Sequence, residues 1–166
     1  MKSALKLTSS ILILLFLFSG CKKDDANVST VNNVKLNSES FSINSASIIG
    51  ISINGEGHSG ISLVSGTGDQ ISTLTIDVES CTRETIEGTY SYPTAEGDKF
   101  LDDWLTNYAY FENGSGTSSN LESGTVTVKN NHDNNYTIDM DLTMVDGMTF
   151  SGSYTGDFVV QFANYQ

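Results

Sequence analysis

Between Tyr136 and Phe158 apolar residues fall on every second position, a spacing that only an extended backbone turns into one continuous apolar face. Tyr136, Ile138, Met140, Leu142 and Met144 alternate with Thr137, Asp139, Asp141 and Thr143. Successive strand side chains point to opposite faces, so the first set reads as core and the second as solvent-facing. Asp146-Gly147 then supplies a hairpin turn, and Met148, Phe150, Gly152, Tyr154, Gly156 and Phe158 continue the alternation on a returning strand. Glycines at 152 and 156 within that strand mark a bend or a neighbouring group packed closely across it. Upstream, Gly124 to Val128 reads as a third strand, joined to the first through Asn130-Asn131-His132-Asp133-Asn134. The three make a meander.

The N-terminal half follows the same style with Ile49, Ile51 and Ile53, then Ile61 and Leu63, then Ile71, Leu74, Ile76 and Val78. Turns are expected at Asn54-Gly55 and Gly66-Thr67-Gly68-Asp69, and Gly88 to Tyr92 reads as a strand ended by Pro93, the only proline of the chain. Residues 98–112 fit two periods, because Phe100, Trp104 and Tyr108 make a helical stripe while Tyr108 and Tyr110 share a strand face. Their β-favouring aromatics predict an extended segment beginning near Trp104. Asn113 to Asn120 reads as a loop. The fold class is therefore all-β, a single antiparallel β-sandwich or small β-barrel of about eight strands with meander hairpins.

The first 25 residues are of another kind. Lys2 and Lys6 precede the apolar run Ile11 to Phe18, which Ser19-Gly20-Cys21 closes. A run this short falls well below the roughly 20 residues that cross a bilayer, and it reads as a secretory leader. Phe18-Ser19-Gly20-Cys21 resembles a lipobox, and Cys21-Lys22-Lys23-Asp24-Asp25 resembles the export signal of Bacteroidetes surface lipoproteins. The resemblance implies a cleaved leader over 1–20, acylation of Cys21 and outer-membrane localisation facing the cell exterior. A lipidated flexible tether over 21–33 would then lead into one β domain over 34–166. Strand and turn residues such as Gly88-Thr89-Tyr90, Ser123 to Val128 and Gly152 to Gly156 also look like those of uncharacterised β-rich lipoproteins of that group.

The net charge of −12 becomes more negative once Lys2 and Lys6 are removed, which disfavours nucleic acid as a partner. Lipidation of Cys21 would leave Cys81 alone, so an internal disulfide is excluded and Cys81 reads as a buried apolar residue.

Chemistry-bearing motifs are sparse. Gly55-Glu56-Gly57-His58-Ser59-Gly60 matches a dinucleotide fingerprint by letters, but a strand pattern follows it where the fingerprint needs a helix. It reads as a glycine-rich hairpin loop. His58 and Ser59, adjacent on a strand, would face opposite ways and so form no catalytic pair. The two histidines, His58 and His132, both fall in expected loops and give little support for acid–base or zinc chemistry.

Asp139 and Asp141 share a strand face about 7 Å apart, and Asp102-Asp103 form a second acidic pair. Either suits glycoside cleavage or calcium, though solvated carboxylates are the simpler account. Trp104, Tyr108, Tyr110 and Phe111 form the candidate ligand surface, because exposed rings stack on sugar faces. No catalytic residue, cofactor or metal ligand is expected. The chain reads as a membrane-anchored, non-catalytic protein for binding, adhesion or envelope assembly, with a glycan or envelope protein as partner. A barrel carrying a lipid or other apolar ligand, and an acidic-pair glycoside hydrolase, are the alternatives.

Overall fold

The computed structural model describes residues 29–165 except 54, 55 and 81. The leader, Cys21 and the Lys22–Asp25 segment lie outside the described residues, as do Cys81 and the Asn54-Gly55 turn. The protein is all-β. Its strands are β1 (Val31–Asn32), β2 (Lys35–Leu36), β3 (Glu39–Ser40), β4 (Ser45–Ile53), β5 (Glu56–Thr67), β6 (Gln70–Val78), β7 (Gly88–Tyr92), β8 (Lys99–Phe100), β9 (Asn107–Glu112), β10 (Ser115–Asn130), β11 (Asn135–Met144), β12 (Thr149–Asp157) and β13 (Val159–Tyr165). Among the described residues these are thirteen strands where about eight are expected. The excess comes mainly from short pairings at β1, β2, β3 and β8, each two residues long and too brief to carry a periodic signal.

The sixteen-residue strand β10 organises the topology. Its first part, Ser115 to Asn120, pairs with β9, and its second part pairs with β11 on one edge and β7 on the other. The register slips between Leu121 and Ser123. Beside the slip Gly124 has φ +151°, where an added Cβ would collide with the backbone of Asp141 and Leu142. A bulge at this place lets one strand leave one sheet and enter another. The first sheet runs β13-β4-β5-β6-β9 to the start of β10; the second continues from the rest of β10 through β11, β12, β2 and β3.

The segment after β8 ties the sheets together a second time. Leu101 bridges Val78 of β6 and donates its N–H to Ser91 O of β7, while Glu79 N–H donates to Phe100 O and Asp102 N–H to Asp77 O. The ladder β6-β9-β10-β7-β8 thus returns to β6, giving one end of the sandwich a barrel-like closure. Two pairings are parallel, β13 with β4 and β7 with β8, so the ladder is mostly rather than wholly antiparallel.

The interior is filled by side chains from both inner faces. Ile48, Ile61, Leu63, Leu74, Ile76 and Val78 of the first sheet meet Tyr90, Val126, Tyr136, Ile138, Leu142 and Phe150 of the second. Tyr108 of β9 and Phe150 of β12 lie with ring centroids 5.2 Å apart, and Phe41 stands edge-on to Phe150 at 5.5 Å. The alternation expected in β11 is present residue by residue, and in β12 it holds at Phe150, Tyr154 and Gly156 but is broken at the exposed Gly152, with Asp146-Gly147 in the turn between the strands. Gly152 takes φ +106° because the Asn33 backbone passes directly over it.

Three regions differ from the sequence expectation. In β4 the isoleucines at 49, 51 and 53 face outward and are 52%, 49% and 61% exposed, while Ala46, Ile48, Gly50 and Ser52 face in. The inner face takes these small residues because the Phe162 ring of β13 lies across Gly50, where any Cβ would meet it. Residues 115–120 are strand, not loop, paired with β9 through an Asn113-Gly114 turn with both φ values positive. This is the two-residue turn that an Asn-Gly pair favours, and the Ser/Thr-rich strand after it lacks the apolar alternation that marks the others. Trp104 lies in a turn, and β9 begins at Asn107. Sheet pairing begins at Val31, opposite Thr155.

Two outcomes follow from this core. Phe150→Ala, which empties the contact between the sheets, is expected to cost about 3–5 kcal/mol in equilibrium denaturant unfolding. Burial also raises the hydroxyl pKa of Tyr90, Tyr136 and Tyr154 above the usual tyrosine value. A raised folded-state pKa contributes stability that is fully present below about pH 10 and lost as pH rises through the folded values. Absorbance at 295 nm should therefore show tyrosines ionising together with alkaline unfolding, instead of independently near pH 10.

Candidate functional site

The outer face of the first sheet carries the most unusual surface of the molecule. β4 places its isoleucine ridge there, and Ile51 pairs with His58 of β5. His58 is half-exposed, and Ser59 points the opposite way, buried, donating its hydroxyl to Ser80 O. The two form no catalytic pair, as the strand period requires. The whole stretch from Glu56 to Gly60 is strand, so His58 stands on a sheet and not in a loop, and the glycine-rich sequence leads on into strand with no helix. His132 does lie in a turn, exposed, with φ +73°.

Asp77 of β6 faces the same outer surface, yet it is only 8% exposed. Its Oδ1 lies 2.7 Å from His58 Nδ1. Burial raises the Asp77 carboxyl above the usual carboxylate range; the hydrogen bond and charge of His58 offset part of that, and the neighbouring Asp102 adds to it. The Asp77 N–H donates to Thr106 Oγ1 at 3.0 Å.

Asp102 arrives from the segment that ties β6 to β7. Its Oδ1 accepts the N–H groups of Trp104 at 2.9 Å and Leu105 at 2.7 Å, forming an Asx turn. Its backbone carbonyl accepts from Thr106 N–H. One ligand atom from each of His58, Asp77 and Asp102 lies within 4.8 Å of the others. Asp103, its chain neighbour, faces elsewhere, against the Tyr92 hydroxyl, and it is the main cause of that hydroxyl's raised pKa. The Asp102-Asp103 pair is therefore divided between two environments.

The turn held by Asp102 projects Trp104, which is 76% exposed, with Leu105 beside it at 45%. Asn120 Nδ2 donates to Trp104 O and Asn107 Nδ2 to Leu105 O, so the turn backbone is fixed on both sides. The four aromatics proposed as one surface do not form one. Tyr108 is buried in the ring cluster with Phe41 and Phe150. Tyr110 is half-buried against the core, and Phe111 is exposed on the outer face, where its ring covers Gly116. Period-two alternation along β9 separates Phe111 from Tyr108 and Tyr110, and only Trp104 keeps the role of an exposed platform near other chemistry.

Asp139 and Asp141 do share a face, on the outside of the second sheet. Both are exposed and line an open depression of about 380 Å³ with Asn33, Thr125, Thr127, Met140, Gly152 and Ser153. A second depression, between residues 82–84 and 162–164, contains Arg83 and Phe162.

No family model, curated protein or solved structure matches the chain. Site assignment therefore rests on the geometry above. Asp77 is the residue that sequence reasoning missed. Its alternation partner in the strand pattern was visible, since Ile76 and Val78 fall on the core face, but its pairing with His58 depends on the register of β5 against β6. The exposed and buried aromatics separate in a simple way: Trp104→Ala should change unfolding free energy by no more than about 0.5 kcal/mol. Tyr108→Ala should lower it by about 3 kcal/mol, both measured by denaturant titration.

Proposed function

We infer that this protein is a lipid-anchored, non-catalytic binding module of the outer membrane, facing the cell exterior and recognising a glycan through the outer face of its first sheet. The observation that carries the reading is Trp104. Tryptophan gains more from burial than other side chains, and here it stands in water on a turn whose backbone is held by Asp102, Asn107 and Asn120. A ring carried on a fixed backbone loses less entropy when a sugar face stacks on it than one on a loose loop. His58 and Asp102 stand near the turn as hydrogen-bonding groups, and the Ile49, Ile51 and Ile53 ridge extends the same face.

Anchoring rests on Cys21 and the following Lys22-Lys23-Asp24-Asp25, by resemblance to surface lipoproteins. Acyl chains contribute about 0.8 kcal/mol per buried methylene, enough for lasting attachment without a spanning helix. The filled interior and ring-packed core favour a surface-binding role over the enclosure of an apolar ligand. Asp139 and Asp141 stand in water at the rim of an open depression, which suits solvation of the second sheet better than glycoside cleavage.

The reading is tested with the full chain on two axes. Cys21→Ser is expected to move the protein from the membrane fraction to the soluble one; retention by membranes through an uncleaved leader would overturn the anchor. On a glycan array, the unsubstituted chain should bind a defined subset of sugars. Trp104→Ala should weaken that binding at least tenfold, about 1.4 kcal/mol, while Phe111→Ala leaves it within twofold. Absence of any glycan binding would overturn glycan recognition, and capture of one defined envelope protein would replace it.

A further inference from the structure

We propose that His58, Asp77 and Asp102 bind one divalent cation of the zinc class, leaving coordination positions open to solvent. The donors come from three separate places in the fold, β5, β6 and the segment after β8, and converge on one point. Ligands about 2 Å from a common tetrahedral ion lie about 3.3 Å from one another. One donor atom from each of the three residues already lies within 4.8 Å of the others.

A cation would also suit the burial of the Asp77 carboxyl beside a second acidic group. Asp77 is nine-tenths buried beside a second carboxylate, and the charged side chains acting on it are His58 and Asp102. One imidazole nitrogen with two carboxylate oxygens is a donor set that zinc accepts readily; magnesium and calcium prefer oxygen alone.

The surroundings resemble those of built metal sites. Asp102 is held in one orientation by the Trp104 and Leu105 amides, the kind of outer support that positions ligating carboxylates. Asp77 is aligned through its own backbone, donating to Thr106 Oγ1 and accepting from Asp102 N–H. Opposite Asp77 in the ladder stands Gly60, and the space where its side chain would be is empty to beyond 4 Å. That gap leaves room for water on the ion. The site uses the same His58 and Asp102 that border the Trp104 turn, and metal binding is read without any glycan present.

The test is calorimetric titration of the purified full chain, stripped with a chelator and then freed of it, using zinc, calcium and magnesium chlorides in turn. One equivalent of zinc is expected to bind, with calcium and magnesium at least tenfold weaker. His58→Gln and Asp102→Asn should each reduce zinc affinity at least tenfold. Asp102→Asn is the decisive variant, because an asparagine oxygen still accepts the Trp104 and Leu105 amides and so preserves the turn. The melting temperature of its metal-free form should match the parent. Zinc binding that survives both substitutions, or no binding by the unsubstituted chain, overturns the proposal.

Discussion

The structure depends on one strand belonging to two sheets. β10 pairs with β9 over its first part and with β11 and β7 over its second, and the register slip beside Gly124 turns it from one sheet into the other. Without that turn the two apolar faces would lie side by side, with nothing to cover them. With it they fold together, and Tyr108 of one sheet reaches Phe150 of the other at 5.2 Å. A bulge stores little energy itself; its effect is to direct the burial that drives folding.

The second tie between the sheets, the segment from β8 to Asp102, links folding to the candidate site. The same backbone bonds that fasten Leu101 to β6 and β7 carry Asp102 to Asp77 and His58. Asp102 then acts twice more, orienting the turn that exposes Trp104 and completing the group of possible metal ligands. Platform and ligand cluster are therefore products of one structural device.

How far the sequence could be read depended on whether each strand's pattern was self-sufficient. β11 was legible to the residue, because large apolar residues alternate with polar ones from Tyr136 to Met144, and β12 was legible at Phe150 and Tyr154. β4 was legible as a strand but not in its facing. Its isoleucines outweigh Ala46, Gly50 and Ser52 in any pattern, and the reason for the inversion is Phe162, more than a hundred residues away. Ser115 to Asn120 concealed a strand because its neighbours, not its own side chains, make it extended. At the site, Trp104 and Asp102 were visible as candidates, but Tyr108, Tyr110 and Phe111 were grouped with Trp104 by proximity in sequence, which alternation then separated.

Sequence by itself determined the all-β class, a turn within residues 66–69, the turn at Asp146-Gly147 and the inward face of β11, because these follow from local backbone geometry and a period of two. Tertiary structure alone decided the two-sheet closure through β10, the outward ridge of β4, and the meeting of His58, Asp77 and Asp102. Those depend on register between distant strands. A shift of one residue exchanges the faces of a whole strand, and the energy that selects the register comes from packing across the molecule.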